Sequence, residues 1–407
     1  MRTEAFFKPR RERRKCQARN GSCIGGKKKS ISPPDDLRVL DIAKGILILL
    51  VFNNHLVESV FGGAFFFNPE QRWPSMGLQL AQLLTPAGPG MAGVIGTTIR
   101  DIGWLSEELL GLFLVLSGFG LGWGLARARI FDLRTYISRR LGRIYPMWLT
   151  AHAMIAGPLV VAGKVSWIIA LASAIGIRFL PSTYFAIVPA WWYIGLLLQL
   201  YAIVPILWWA CRRFGAAQMI VGAVVLGLTI RGIGWSFAGQ YIDEWSRGSI
   251  FVTRLPEFGF GFGLAVLCHA DVARFKAVIL DLRVVCAGGA AFVIGNVGAL
   301  TWIGMVFAPL LISFGAFVLV SSAFARARLP ILEWLGRHSY ALYLMHQVTI
   351  LLFMRHLHSP KQIVLGASLA LVTGVLLALL LEKLTAWFVS WSTPVESWRV
   401  GASSKAA

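Results

Sequence analysis

Five polar residues stand in the first apolar run of this 407-residue chain: Asp41, Lys44, Asn53, Asn54 and His55. Ionisable groups are costly inside a lipid layer, and those that persist there usually face a site. Histidine changes charge near neutral pH, so His55 has the chemistry of a general base that takes a proton from an attacking hydroxyl. The neighbouring amides of Asn53 and Asn54 can orient such a ring or donate to developing charge. Lys44 and His55 lie eleven residues apart, which on a helix is about 16 Å, or about half the hydrocarbon thickness. The competing reading is that Lys44 reaches back to the inner headgroups and His55 rests near the outer interface.

Further constellations follow along the chain. Ser117-Gly118-Phe119 closes a Phe- and Leu-rich run, where a small-residue pair equally serves close helix packing. Arg140 and Arg143 are three apart, share one helical face and stand where a helix enters the membrane. A phosphate-bearing donor from the cytoplasm would meet both guanidinium groups there, although a charge run also simply orients a chain. Trp191, Trp192 and Tyr193 precede Gln199 and Tyr201, and by themselves read as an interfacial belt. Arg254 and Glu257 are spaced to pair at the outer end of a span. Ser339, Tyr343 and His346 share a face at spacings of four and three. His346 is either part of the chemistry or a packing residue bonded to a nearby carbonyl. Gly-x-Ser-x-Gly, the Walker A motif and the dinucleotide fingerprint are all absent. The cysteines (Cys16, Cys23, Cys211, Cys268 and Cys286) include no Cys-x-x-Cys, so neither a metal site nor a disulfide framework is expected.

The elements that position these residues are membrane helices. The chain is 57% hydrophobic and 14% charged, with a mean hydropathy of +0.67. Its apolar runs have the length of a membrane crossing, about 20 residues as helix, and lack the period of two of barrel strands. They cover about 39–57, 105–125, 144–161, 165–180, 190–210, 216–235, 256–268, 284–299, 301–323, 339–356 and 362–390, with an ambiguous stretch at 76–99. The net charge of +20 sits in the short connections, which orients a membrane protein rather than binding nucleic acid. Basic segments at 127–143 and 211–215 both read as cytoplasmic, so an even number of crossings joins them. The weakest run between them, 165–180, is then re-entrant or interfacial. The expectation is an all-α, polytopic transmembrane helical bundle of about ten spans, or eleven to twelve if ambiguous stretches cross. Residues 1–35 read as a disordered basic cytoplasmic tail, 36–390 as the membrane domain and 391–407 as a short cytoplasmic tail.

Five of these motifs, in this order, resemble the acyltransferase-3 family of integral membrane O-acyltransferases. Its opening motif corresponds to Asp41, Lys44 and His55, and its Ser-Gly-Phe motif to Ser117-Gly118-Phe119. The Arg-x-x-Arg-Ile-x-Pro element corresponds to Arg140, Arg143, Ile144 and Pro146. The aromatic span corresponds to Trp192, Gln199 and Tyr201, and the late element to Gly336, Ser339, Tyr340, Tyr343 and His346. The resemblance covers roughly 36–390. It implies transfer of an acyl group, as in O-acetylation, from acyl-CoA as co-substrate to a hydroxyl of a sugar, glycan or lipid-linked acceptor, with no bound cofactor. His55 would be catalytic, supported by Asn54, Lys44 and Asp41. Arg140, Arg143 and Ser117 would serve the donor, and Tyr201, Glu257, Ser339, Tyr343 and His346 would complete the site. The implied setting is a bacterial cytoplasmic (inner) membrane with both termini inside. Two positions depart from the pattern. Lys44 replaces the usual Arg and lacks its bidentate fork, and Leu197 stands where many members carry Glu. A transporter of small acyl-bearing or sugar-like molecules, or an envelope scaffold, are the competing functional classes.

Overall fold

A computed structural model describes residues 38–61, 81, 84–86, 90–128, 130–237, 241–354 and 360–392. The two expected tails and the first part of the ambiguous 76–99 stretch fall mostly outside these residues. Among the described residues the only regular structure is helical. Helix α1 (Arg38–Phe61) carries the first motif, and α2 (Gly90–Ser106) follows. Next come α3 (Leu110–Arg127), α4 (Leu133–Val161), the short α5 (Trp167–Ala174) and α6 (Pro181–Tyr184). Then α7 (Trp192–Phe214), α8 (Ala216–Phe237), α9 (Ile242–Arg247) and α10 (Leu255–Ala270) run in succession. The remainder is α11 (Val272–Ile279), α12 (Leu282–Gly298), α13 (Trp302–Ala323), α14 (Pro330–Arg337), α15 (Ser339–Phe353) and α16 (Pro360–Ser392).

Eight of these helices are long and apolar enough to cross a membrane, and nine if α11 and α12, bent by 62°, form one broken span. Helix α15 is apolar but has 15 residues, short of a full crossing. The chain is therefore a multi-pass membrane protein.

The boundaries differ from the sequence reading at two places and agree with it at a third. The run expected at 105–125 is broken: α2 ends at Ser106 and α3 begins at Leu110. The basic segment before 144 is largely helical, because α4 starts at Leu133, where the Asp132 side chain accepts from the Thr135 amide at 2.9 Å. The 165–180 run is one eight-residue helix followed by irregular chain, as expected of a segment that does not cross.

Lipid tails provide no hydrophobic drive between apolar helices, so close backbone approach takes its place. A Cβ at Gly118 of α3 would lie 2.2 Å from the Phe258 carbonyl oxygen of α10, and one at Gly261 would lie 2.0 Å from that of Val115. The seam between α1 and α14 is built the same way. A Cβ at Gly45 would meet the Leu332 carbonyl at 2.1 Å, and one at Gly336 that of Asp41 at 1.9 Å. Helix α1 is thus held against its neighbour at the end that carries Asp41 and Lys44.

Candidate active site

His55 and His346 meet inside the bundle, their ring centroids 5.1 Å apart. His55 is nearly five turns into α1, and its Nδ1 lies 2.7 Å from Glu58 Oε2, about one turn further along. Nδ1–H therefore donates to the carboxylate, and Nε2 is left with the lone pair a base needs. His346 is oriented differently. Its Nδ1 donates to the Tyr343 carbonyl at 2.6 Å, and its Nε2 is buried without a partner.

Helix α15 is stitched to the start of α7 around this pair. The Tyr343 hydroxyl donates to the Ala190 carbonyl, and Trp191 Nε1 donates to the Leu344 carbonyl at 3.0 Å. The Ala190 amide donates to Gln347 Oε1, which fixes that amide so that Nε2 stands 3.3 Å from His55 Nδ1. Ala190 itself is presented by an unusual turn. Ile187 has φ +67°, a conformation a β-branched residue rarely adopts. The buried Arg178 donates from one Nη to the carbonyls of Tyr184, Ala186 and Val188, which bracket Ile187. Its other Nη donates to Ser173 Oγ, which also touches His152 Nε2 at 3.0 Å. Arg178 thus satisfies the carbonyls of a non-helical segment inside the protein, as irregular backbone at such depth requires.

The amides beside His55 do not serve its ring. Asn53 donates to the Ile99 carbonyl and Asn54 to that of Gly103, at 3.0 and 3.1 Å. Successive helical side chains diverge by about 100°, so these amides tie α1 to α2 while His55 faces α15. The expectation that Asn54 orients the ring is corrected accordingly; Glu58 and Gln347 are its neighbours.

The other expected residues fall into separate groups. Lys44 pairs with Asp41 at 3.1 Å beside Gly336, away from the histidines. Ser339 opens α15 at this same level, and the Tyr340 hydroxyl donates to the Ile144 carbonyl of α4 at 3.1 Å. Arg143 precedes Ile144, so Asp41, Lys44, Ser339, Arg140 and Arg143 share one side of the bundle. The histidines are deeper, roughly 9 Å along α15 from Tyr340 and roughly 21 Å along α1 from Asp41.

Arg140 lies over the Tyr136 ring, 5.9 Å from its centroid, and its Nε is buried without a partner. It lines a cleft of about 350 Å³ between the end of α3 and the start of α4, with Leu125, Phe131, Asp132 and Arg139. The hydrogen bonds from Thr135 hold the Asp132 carboxyl below its ordinary range, so this cleft mixes one anion with two cations. Tyr201 flanks the same helix start, its carbonyl accepting from the Tyr136 hydroxyl at 2.8 Å. Ser117 lies beside Tyr193, which continues through Tyr343 to His346 in a file of rings spaced 5.5 and 5.3 Å.

Glu257 does not pair with Arg254. It is wholly buried and binds Arg231 of α8 at 2.8 Å, while Arg254 reaches Glu108 at 3.1 Å. Arg254 precedes the first turn of α10 and points to the α3 side, whereas Glu257, inside that turn, faces α8. Removing one partner of such a buried pair costs about 3–5 kcal/mol, so Glu257 stands in the framework around the site.

Sequence reasoning missed Glu58, Gln347, His152 and Arg178 as contributors. Glu58 follows His55 at helical spacing, a signal available but obscured by its position at a span end. Gln347 and Arg178 gain their roles only through contacts with Ala190 and residues 184–188, which no spacing reveals.

The chain is 25% identical over 287 residues to "Acyltransferase MdmB" of Streptomyces mycarofaciens, a match covering 63% of this chain and 71% of that protein. No solved structure gives a significant match. The acyltransferase-domain model of the acyltransferase-3 family matches residues 37–383, which spans α1 through most of α16, and the chain belongs to that family.

Proposed function

We propose that this protein is a membrane O-acyltransferase in which His55, held by Glu58, is the general base. The observation that carries this reading is His55 Nδ1 at 2.7 Å from a carboxylate, facing His346 within a multi-pass bundle. The acceptor hydroxyl gives its proton to His55 Nε2 as its oxygen attacks the acyl carbonyl carbon. The carbon–sulfur bond of the thioester then breaks, and the departing thiolate takes up that proton to leave as free thiol. Acyl-CoA is the donor that suits the net-cationic cleft, with Arg140 of its lining, and Arg143 one turn further along α4, toward the donor's phosphates and Lys44 contributing charge on the same side. The acceptor is a sugar, glycan or lipid-linked hydroxyl.

Counting α11–α12 and the short α15 as crossings makes ten spans. The basic connections at 127–143 and 211–215 then lie on the same side as both termini, in the cytoplasm of a bacterial inner membrane.

The decisive experiment is acyl transfer from radiolabelled acyl-CoA, normalised to folded protein. Glutamine keeps hydrogen bonding but takes up no proton, so His55→Gln should insert normally and lose about 10²–10⁴ in rate. Full activity in a monodisperse His55→Gln protein would end the base assignment and return the transporter and scaffold readings. Read against donor concentration, the same assay should show Arg140→Ala raising the acyl-CoA requirement, whereas an unchanged donor dependence would leave Arg140 as a topology signal.

A further inference from the structure

We infer that His346 Nε2 receives the hydroxyl of an acceptor with an apolar carbon frame, entering sideways from the bilayer between α1 and α16. This rests on the acyltransferase reading and names the acceptor class for the same site.

A pocket of about 30 Å³ opens beside His346, lined by Ile48, Phe52, Leu342, Leu371, Gly374 and His346 among others. Every lining residue except His346 is apolar. Leu49 and Leu371, also in the lining, are 39% and 41% exposed, so the pocket reaches the apolar outer surface of the bundle. His346 is 4% exposed, and its Nε2 has no partner. Because Nδ1 carries the proton that goes to the Tyr343 carbonyl, Nε2 presents a lone pair. What is missing is a hydrogen-bond donor.

Three occupants compete for that lone pair. The volume would admit a water, but a stable buried water needs two to four polar partners, and these walls provide one. A polyhydroxylated sugar would bring several donors against an apolar wall and leave most of them unmet. A single hydroxyl on an apolar frame satisfies both features. Its oxygen donates to Nε2, the adjoining carbon fills the pocket, and the remainder lies along α1 and α16 in lipid. With the rings 5.1 Å apart, that hydroxyl oxygen is held next to His55, and rotation about its C–O bond turns its single proton from His346 Nε2 to His55 Nε2 for the transfer.

Hexadecan-1-ol and hexadecane, each with a diazirine at carbon 3, test this in nanodiscs of the full chain. The alcohol should label Leu342 and Val375 several-fold more than the alkane, which only samples the lipid-facing surface. Hexadecan-1-ol should also accept acyl groups from acyl-CoA. Gly374→Leu fills the pocket and should raise the hexadecanol KM by at least about tenfold, without changing acyl-CoA binding. Leu371→Trp, at the lipid-facing mouth, provides a second obstruction should Gly374→Leu fold poorly. Equal labelling by alcohol and alkane, or acylation of a soluble sugar but not of hexadecanol, would overturn the inference. Alcohol-dependent labelling with no acyl transfer to any acceptor would instead uphold the pocket and sink the enzymatic reading.

Discussion

At the scale of single residues, the two histidines are not equivalent. His55 hands its Nδ1 proton to a carboxylate, which strengthens Nε2 as a base. His346 hands its own to a neutral carbonyl and is enclosed by apolar side chains. Glu58 is 46% exposed, so its effect is moderated by solvent. A hydrogen bond to a charged group contributes about 1.5–3 kcal/mol, and the exposure places Glu58→Gln near the low end, roughly a tenfold loss of turnover. The KM for donor should stay fixed. A loss confined to KM would assign Glu58 to binding instead. As a candidate, His55 was legible in the sequence because an ionisable residue within an apolar run is costly. Its real neighbours were not, since Asn54 stands beside it in the chain and points elsewhere, whereas Gln347 arrives from 292 residues away.

At the scale of elements, glycines decide which helices touch. Gly118 faces the Phe258 carbonyl, while Gly120, two residues on, has open space around its Cβ position. Gly118→Val should therefore lower the thermal stability of the detergent-solubilised protein well beyond Gly120→Val. Size-exclusion profiles would separate misfolding from simple loss of activity. Equal tolerance at both positions would contradict the seam. This clarifies the Ser117-Gly118 pair, whose glycine packs two helices while its serine lies beside Tyr193. The long spans were legible from hydropathy, since crossing length and composition are local properties. The break between Ser106 and Leu110 was not, because the polar Ser106, Glu107 and Glu108 are too few to end an otherwise apolar run on hydropathy. Nor was the start of α4, where arginines that read as a connection occupy the first turns of a helix.

At the scale of the whole molecule, the basic residues and the histidine pair occupy different levels of one bundle. Impermeant thiol reagents applied to intact cells should leave a cysteine placed beside Arg134 unlabelled until the membrane is opened. Prompt labelling from outside would invert the proposed orientation. The glycine seams also rank the helices by freedom of movement. Helix α1 is clamped at one end by Gly45 and Gly336, and tied to α2 at the other by Asn53 and Asn54. In helix α16, Gly374 has only the Thr349 hydroxyl nearby, 3.2 Å from a Cβ placed there. The helix also buries 22% of its spanning window, against 67% for α10. We expect any breathing that admits a bulky molecule to the histidines to come from α16, swinging like a door on a fixed frame. Its amides should exchange with deuterium sooner than those of α1 at equal depth, and a cross-link pinning α16 to α1 should jam turnover while leaving the paired histidines intact.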